Sequence, residues 1–421
     1  MSEERVICID IGYSKVAAAI VDSDVNNQPE VLGVGEAPTN GLFRGKVKEV
    51  EAVSDSIRNA VMKAFETIGS GKVDRVLVGI TGMEIEGLNS CGVAPIQAHN
   101  RTITDRDIET AINNAKAVSL PTDRQIFLIG QQQFVIDDKI VSSNPIKMAA
   151  SNKLEAQVHL LTCLENIKEN FERCLIDAGI EHSQIYYSGA VGAEAVLSLQ
   201  ERDLGTLYID FGKDTIDVLF YKNQSLHYSK VYSFGFNLIT NDLCLCYRIS
   251  YDDAEHLKKE GTAYPLTDSE DLQVYIRGLN GQDMKICRQK EINEVIEARV
   301  TELLELIAAD FRKSNFQSDL KFGVVLAGGG ALQTGIEQCV KKIFGTAVRI
   351  AVPEKINGLK ASFLTPAYVS LYGLMRFADR QTGCTVVNED EIRSSRRDGG
   401  ARRGRWRLFF ANIADFFRSF L

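Results

Sequence analysis

The sequence predicts an α/β protein built from two similar lobes. Three observations carry that reading. A β-prone run, a glycine turn and a second apolar run open the chain as ICIDIGYSKVAAAIVD. A related segment, YIDFGKDTIDVLFY, lies 200 residues further on. A third, VVLAGGG, sets an apolar strand directly before a run of glycines.

In the first segment, residues 6–11 read as a strand, Gly12-Tyr13-Ser14 as the turn and residues 16–21 as the return strand. In the second, the strand is 207–211, the turn Gly212-Lys213-Asp214 and the return 216–221. Ile9-Asp10-Ile11-Gly12 falls on Ile209-Asp210-Phe211-Gly212, and Lys15-Val16 on Thr215-Ile216. A 200-residue offset is far longer than a solenoid period and suits two lobes that open alike. A glycine turn leaves backbone N–H groups free to face an anion. Asp10 and Asp210 then end the two first strands and face each other across a cleft, a cage for a metal-bound polyphosphate. In the third segment, Gly328-Gly329-Gly330 follows a strand at 322–326. A helix is expected over 331–343, its N-terminus favouring phosphate.

Other elements follow from periodicity. Apolar residues give one face to a helix over 50–68, with Val53, Ile57, Ala60, Val61, Ala64 and Phe65. Residues 104–118 read as a helix opening at Thr104 with Asp107 three residues on. Residues 125–140 read as strands around an Asp137-Asp138 turn. A β-prone run at 156–162 leads into a helix that ends near Gly179, and 292–311 reads as another helix. Residues 84–163 look like one inserted unit and 227–312 like a second.

Length and charge bound the class. The 421 residues suggest about three domain-sized units, with 45% hydrophobic and 25% charged residues, ordinary for a globular chain. The net charge of -8 argues against a nucleic-acid binder. Residues 391–421 nevertheless hold eight Arg against Glu391, Asp398 and Asp415, a net of +5, so the preceding 390 residues carry -13. A basic tail on an acidic body points to an anionic partner. Nine scattered cysteines suit a reducing compartment, and Cys244-Leu-Cys246 reads as core packing. No signal peptide and no run of about 20 apolar residues is visible, so the body is expected in the cytoplasm.

Residues 379–404 are charged and poor in apolar side chains, and are expected to be a flexible linker. Residues 405–421, RWRLFFANIADFFRSFL, place Trp406, Phe409, Phe410, Ile413, Phe416, Phe417 and Phe420 on one stripe if helical. Such a helix is roughly 25 Å long and suits the interface of an anionic bilayer. Each basic residue near that surface adds about 1 kcal/mol of attraction.

The order of hairpin, insert, second hairpin and glycine-rich motif resembles the actin, sugar-kinase and heat-shock ATPase superfamily. Within it the chain resembles the bacterial division family FtsA. The two hairpins are similar to that family's phosphate motifs, and VVLAGGGALQTGIEQCVKKIFGTAVRI is similar to its adenosine motif. NSCGVAPI, ITDRDI and SNPIKMAASNKLEAQVHLLT resemble the 1C subdomain that sets FtsA apart from actin. The amphipathic C-terminus on a linker is also similar.

The resemblance implies a two-lobed actin-like ATPase fold with an FtsA-type 1C insertion, a linker and an amphipathic membrane-targeting helix. Lobe 1 (1A) would comprise 1–83 and 163–200, 1C residues 84–162, lobe 2 (2A) 201–226 and 313–378, and 2B 227–312. It implies ATP and Mg²⁺ as cofactors. Gly12, Tyr13, Ser14 and Lys15 would line the phosphates from one side and Gly212, Lys213, Asp214 and Thr215 from the other. Asp10 and Asp210 would hold Mg²⁺ through water. Glu255 would accept from the ribose, Lys258 or Lys259 would flank the base, and Gly328, Gly329 and Gly330 would sit beneath the nucleotide.

The second motif departs from the family pattern. Lys213-Asp214 replaces small residues, Ile216 stands at a Thr position, and Ser233-Phe234-Gly235-Phe236 stands where a Gly-Gly pair is usual. ATP hydrolysis is therefore expected to be weak or absent. The resemblance further implies filaments by self-assembly, binding of the FtsZ C-terminal peptide through 2B, and recruitment of later division proteins through 1C. It implies attachment to the anionic inner membrane on its cytoplasmic side, at the division septum. The competing readings are a sugar or carboxylate kinase of the same superfamily, which needs a general base beside the transferred phosphate, and a pilus-assembly relative.

Overall fold

The computed structural model describes residues 4–378, apart from 24–28, 69–72, 83, 97–101, 142–144, 151, 181–182, 265–271 and 279–283, together with 386–388. The expected helix at 405–421, with its seven stripe residues, lies outside the described residues.

The chain begins with an antiparallel pair, β1 (Glu4–Ile11) and β2 (Lys15–Ser23), continued by β3 (Pro29–Pro38). A tight hairpin, β4 (Leu42–Phe43) and β5 (Lys46–Val47), precedes helix α1 (Val50–Phe65) and strand β6 (Arg75–Ile80). β6 lies parallel to β1, the pairing a crossover helix permits. The insert follows as β7 (Glu86–Pro95), α2 (Asp105–Lys116), β8 (Arg124–Ile136), β9 (Lys139–Val141) and β10 (Lys153–Leu164). Asp107 accepts from the Thr104 backbone N–H at 2.9 Å and closes the first turn of α2. Asp137 and Asp138 adopt positive φ in the turn between β8 and β9.

The chain returns through α3 (Glu165–Asp177) to β11 (Gln184–Tyr187) and α4 (Ser188–Val196). This completes a five-stranded sheet of order β11-β6-β1-β2-β3. β1 is a nearly continuous apolar run because both of its faces are covered. Ile7, Ile9 and Ile11 pack with α1 and α3, while Val6 and Cys8 face the last long helix, described below.

The short α5 (Leu199–Leu204) leads into the second lobe, with β12 (Thr206–Phe211), β13 (Ile216–Lys222) and β14 (Ser225–Tyr232). Helices α6 (Asn237–Tyr247) and α7 (Tyr251–Glu260) come next, then a hairpin of β15 (Gln273–Arg277) and β16 (Met284–Arg288), and α8 (Gln289–Lys313). β17 (Gly323–Ala327) lies parallel to β12, and α9 (Ile336–Phe344) and β18 (Val348–Ile350) follow. The chain then runs through α10 (Val369–Ala378) to a short strand, β19 (Val386–Asn388). Leu207, Ile209 and Phe211 pack against α6, α8 and α9, whereas Tyr208, Leu219 and Tyr221 join the core of the first lobe. The two lobes thus share buried surface along the back of the cleft.

The structure redraws several expected boundaries. The 226/227 boundary falls inside β14, which is a strand of the second-lobe sheet. α10, expected in lobe 2, covers the first-lobe sheet instead, with Leu371, Tyr372, Leu374 and Met375 buried against Val6 and Cys8. The helix expected over 331–343 is broken. A 3-10 turn at Gly329–Leu332 is separated from α9 by Gly335 at φ 83°. A bridge between Thr262 and Thr334 crowds that position, where a Cβ would meet the Tyr264 backbone N at 2.6 Å. β19 lies within the expected linker and pairs with β8. Cys246 is exposed and not packed in the core.

Candidate nucleotide cleft

The two glycine turns are built alike. Gly12 N–H donates to the Lys15 carbonyl at 3.1 Å, and Gly212 N–H to the Thr215 carbonyl at 2.9 Å. Each turn is held open by its own ladder and keeps little room for a side chain at the glycine. Thr39 Oγ1 braces the first turn from behind by donating to the Gly12 carbonyl at 2.8 Å. The second is braced by Phe236 N–H and Asn237 N–H, which donate to the carbonyls of Gly212 and Lys213.

These turns line a cleft of about 600 Å³ between the lobes. Gly12, Tyr13, Ser14 and Lys15 come from one side, Gly212, Lys213 and Thr215 from the other, and Glu255, Lys258 and Lys259 from α7. Gly328, Gly329 and Gly330 form part of the wall, and Asp10 and Asp210 lie within the same cleft. Asp214 is not among the lining residues. It is buried, and its Oδ1 accepts from Asn237 Nδ2 at 2.9 Å. The Asp214 carboxylate, expected among the phosphate-lining residues, is instead engaged in a structural bond.

Gly328 shows why the third motif needs glycine. Its φ is 81°, and a Cβ there would stand 2.2 Å from Asp210 Oδ1. Gly330 lies against the Phe211 Cβ and the Phe236 ring, where a Cβ would meet atoms at 2.6–2.8 Å. Gly329 has no neighbouring atom in the way of a Cβ.

Sequence reasoning missed a third carboxylate. Asp217 is the cross-strand partner of Asp210, and its Oδ1 accepts from Thr81 Oγ1 at 2.6 Å and Tyr187 OH at 2.9 Å. Asp10 Oδ1 accepts from Ser188 Oγ at 2.8 Å. Thr81, Ser188 and Asp217 all line the cleft. The hairpin repeat drew attention to shared positions, and the residue matching Asp217 in the first hairpin is Ala17. The available signal was polarity, since Asp217 interrupts an otherwise apolar return strand.

Burial pushes the carboxyls of Asp10 and Asp217 up to about 6. Asp210 is raised well above the carboxylate range by burial and by the charges of Asp217 and Asp10. A cation placed among these groups would relieve their repulsion. Among the described residues no three His, Cys, Asp or Glu side chains converge as direct ligands of one ion. The carboxylate oxygens of Asp10, Asp210 and Asp217 in the cleft are the hard donors that suit Mg²⁺, a cation that keeps several of its waters when a nucleotide supplies further oxygens.

The cationic side chains are tethered. Lys15 Nζ sits 3.2 Å from the Tyr368 ring centroid and 3.9 Å from Glu36 Oε2. Glu255 pairs with Lys258, and both bond Thr240 on α6. Lys213 lies over the Tyr251 ring at 5.3 Å. Gln333 Nε2 donates to the Lys258 and Gly261 carbonyls, at 3.0 and 2.8 Å, and so docks the 3-10 turn onto α7.

Comparison with known proteins places this geometry in a family. The family described as "Cell division protein FtsA" matches residues 207–373, and "SHS2 domain inserted in FTSA" matches residues 82–162. FtsA of Borreliella burgdorferi is 32% identical over 383 residues, covering 90% of this chain and 92% of that protein. The chain belongs to the FtsA family of cell division proteins. FtsA of Neisseria meningitidis is likewise 32% identical, over 410 residues that cover 96% of this chain and 98% of the relative.

Solved structures agree on the actin-like ATPase fold of this FtsA-family chain. The PilM-PilN type IV pilus biogenesis complex gives a TM-score of 0.62 at 15% identity, covering 88% of this chain and 97% of the other. MreB5 of Spiroplasma citri bound to ADP gives 0.53 at 14% identity, covering 90% and 97%. The chain is therefore a cell-division actin-like protein, with the SHS2 unit as the insert formed by β7 to β10.

Proposed function

We propose that this protein binds ATP with Mg²⁺ in the cleft, assembles into filaments, and tethers FtsZ to the cytoplasmic face of the membrane at the division septum. The observation that carries the nucleotide reading is the pair of matching glycine turns, which line one cleft together with the carboxylates of Asp10, Asp210 and Asp217. Mg²⁺ would supply charge neutralisation for the phosphates and for the carboxylates together. Asp10 and Asp210 would hold it through water. Backbone N–H groups of both turns would face phosphate oxygens, Lys15 and Lys213 would add positive charge, and Glu255 would accept from the ribose. MreB5, which shares the fold, has been solved with ADP and with AMPPNP.

Assembly and membrane attachment act together. One C-terminal amphipathic helix gives modest affinity, whereas a filament bearing many such helices gains avidity without new contacts. Among the described residues no helix is long and apolar enough to cross a membrane. The FtsZ C-terminal peptide would dock on the 2B unit, and later division proteins on the insert.

The test of the cleft is equilibrium binding of a fluorescent ATP analogue to the wild type and to Asp210→Ala, with and without Mg²⁺. The variant should bind at least tenfold more weakly and lose its Mg²⁺ dependence. Unchanged affinity would remove Asp210 from the metal role. The test of the tether is co-sedimentation with anionic liposomes. A chain ending before Arg405 should still polymerise and should stay in the supernatant, and equal pelleting would sink the membrane reading.

A further inference from the structure

The insert's sheet ends on β8, and β8 has a peculiar edge. Leu128 is fully buried and Ile129 is 6% exposed, so both faces of the strand are covered at this point. An uncovered edge here would leave backbone N–H and C=O groups without partners in an apolar setting. β9 covers only Phe134 to Ile136. The backbone of β19 covers Leu128 to Gly130, with Val386, Val387 and Asn388 opposite Gly130, Ile129 and Leu128 in antiparallel register. β19 also approaches β11, the outermost strand of the first-lobe sheet. A three-residue strand from beyond the folded core therefore fills the gap between two sheet edges.

We propose that this gap is a strand-docking site whose resident is the chain's own Val386–Asn388, bound reversibly by β-augmentation. The pairing runs over three residues, short enough for the strand to dock and exchange. Its place in the chain gives the docking a consequence, which rests on the membrane-tether reading above. With the strand released, 26 residues (379–404) separate the core from the C-terminal helix segment. With it docked, 16 residues (389–404) separate the strand from that segment, and the chain leaves from the insert. For a flexible chain that shortens the root-mean-square span from about 28 Å to about 22 Å. Docking thus sets how far, and from which side, the body can stand from its anchor.

The register supplies a test that needs no membrane. Directly opposed residues of an antiparallel pair have Cα atoms about 4.5–5.5 Å apart, within disulfide range. A Cβ at Gly130 would meet its nearest atom at 3.6 Å, an ordinary contact, so Gly130→Cys is sterically tolerated. In the full-length protein, Gly130→Cys with Val386→Cys should form an intramolecular disulfide under mild oxidation, mapped by peptide mass spectrometry against the native cysteines. Gly130→Cys with Val387→Cys, one residue out of register, should cross-link at least tenfold less. Equal yields from the two pairs would overturn the docking, and a bridge found only in dimers would assign the strand to a second copy and overturn its action in cis.

A second measurement guards against distortion by the cysteines. Val386→Pro with Val387→Pro removes whichever of the two consecutive N–H groups points at β8. Amide exchange at Leu128–Gly130 should then quicken by roughly tenfold. Unchanged exchange would overturn the proposal. Liposome binding can fail while both measurements succeed, so the fate of the tether reading stays separate.

Discussion

Asp210 and Asp217 stand directly opposite each other on β12 and β13, a half-buried and a buried carboxyl on one ladder rung. Asp10 reaches the same cleft from the other lobe. Such a cluster costs stability when ionised and is tolerated where a cation can enter.

A pH dependence follows. Asp10 and Asp217 have carboxyls pushed up to about 6, above the roughly 3.9 of an unfolded Asp. Between about pH 4 and pH 6 the folded state therefore holds more protons than the unfolded one, and these two groups make stability fall as pH rises. Asp10→Asn with Asp217→Asn should remove that fall, worth about 2–3 kcal/mol per group. Urea unfolding at pH 4.5 and 7.5 without nucleotide checks it. An unchanged difference between the two pH values in the double variant would count against the assignment.

The glycines of the third motif should separate folding from binding. Gly328→Ala forces a Cβ into Asp210 at a positive φ and should destabilise by about 2–4 kcal/mol. Gly329→Ala meets no atom and should leave the urea midpoint nearly unchanged. Since residue 329 lines the cleft, the methyl should still weaken ATP binding several-fold. Equal midpoints for the two variants would refute the packing argument.

The insert should be separable from the cleft. A Cβ on Gly92 of β7 would meet the Ala111 carbonyl oxygen and the Ala115 backbone N at 2.1 Å, both in α2. Gly92→Val should pry α2 from its sheet, costing about 3 kcal/mol or more locally. Amide exchange should rise across residues 86–95 and 105–116 while ATP affinity holds. Uniform exchange across the chain would show that the insert is not an independent unit.

A buried imidazole joins the insert to the second lobe. Asn89 Nδ2 donates to the His227 carbonyl at 3.0 Å, leaving its Oδ1 to accept from His159 Nδ1 at 2.7 Å. His159 Nε2 then accepts from Ser229 Oγ at 2.8 Å. Burial, with His227 nearby, holds the His159 imidazole down at about 3. Its contribution is full above pH 6.5 and is lost as pH falls toward 3, the opposite slope to the carboxylates. His159→Gln should flatten that acid-side loss in urea titrations below pH 6, and an unaltered slope would refute the assignment.

Local pattern was enough to reveal the hairpins, the glycine turns and most helices, because strand alternation, turn chemistry and amphipathic period are short-range properties of the chain. The internal repeat located Asp10, Asp210 and both turns for the same reason, since equivalent lobes reuse equivalent residues. Tertiary structure alone decided which residues share the cleft. Asp217, Thr81 and Ser188 come from three separate elements, and Asp214 leaves the cleft because Asn237 captures it. Packing likewise sent α10 back across the first-lobe sheet, where burying its apolar face outweighed proximity in sequence, and a bare sheet edge drew Val386–Asn388 out of a segment with no strong pattern of its own.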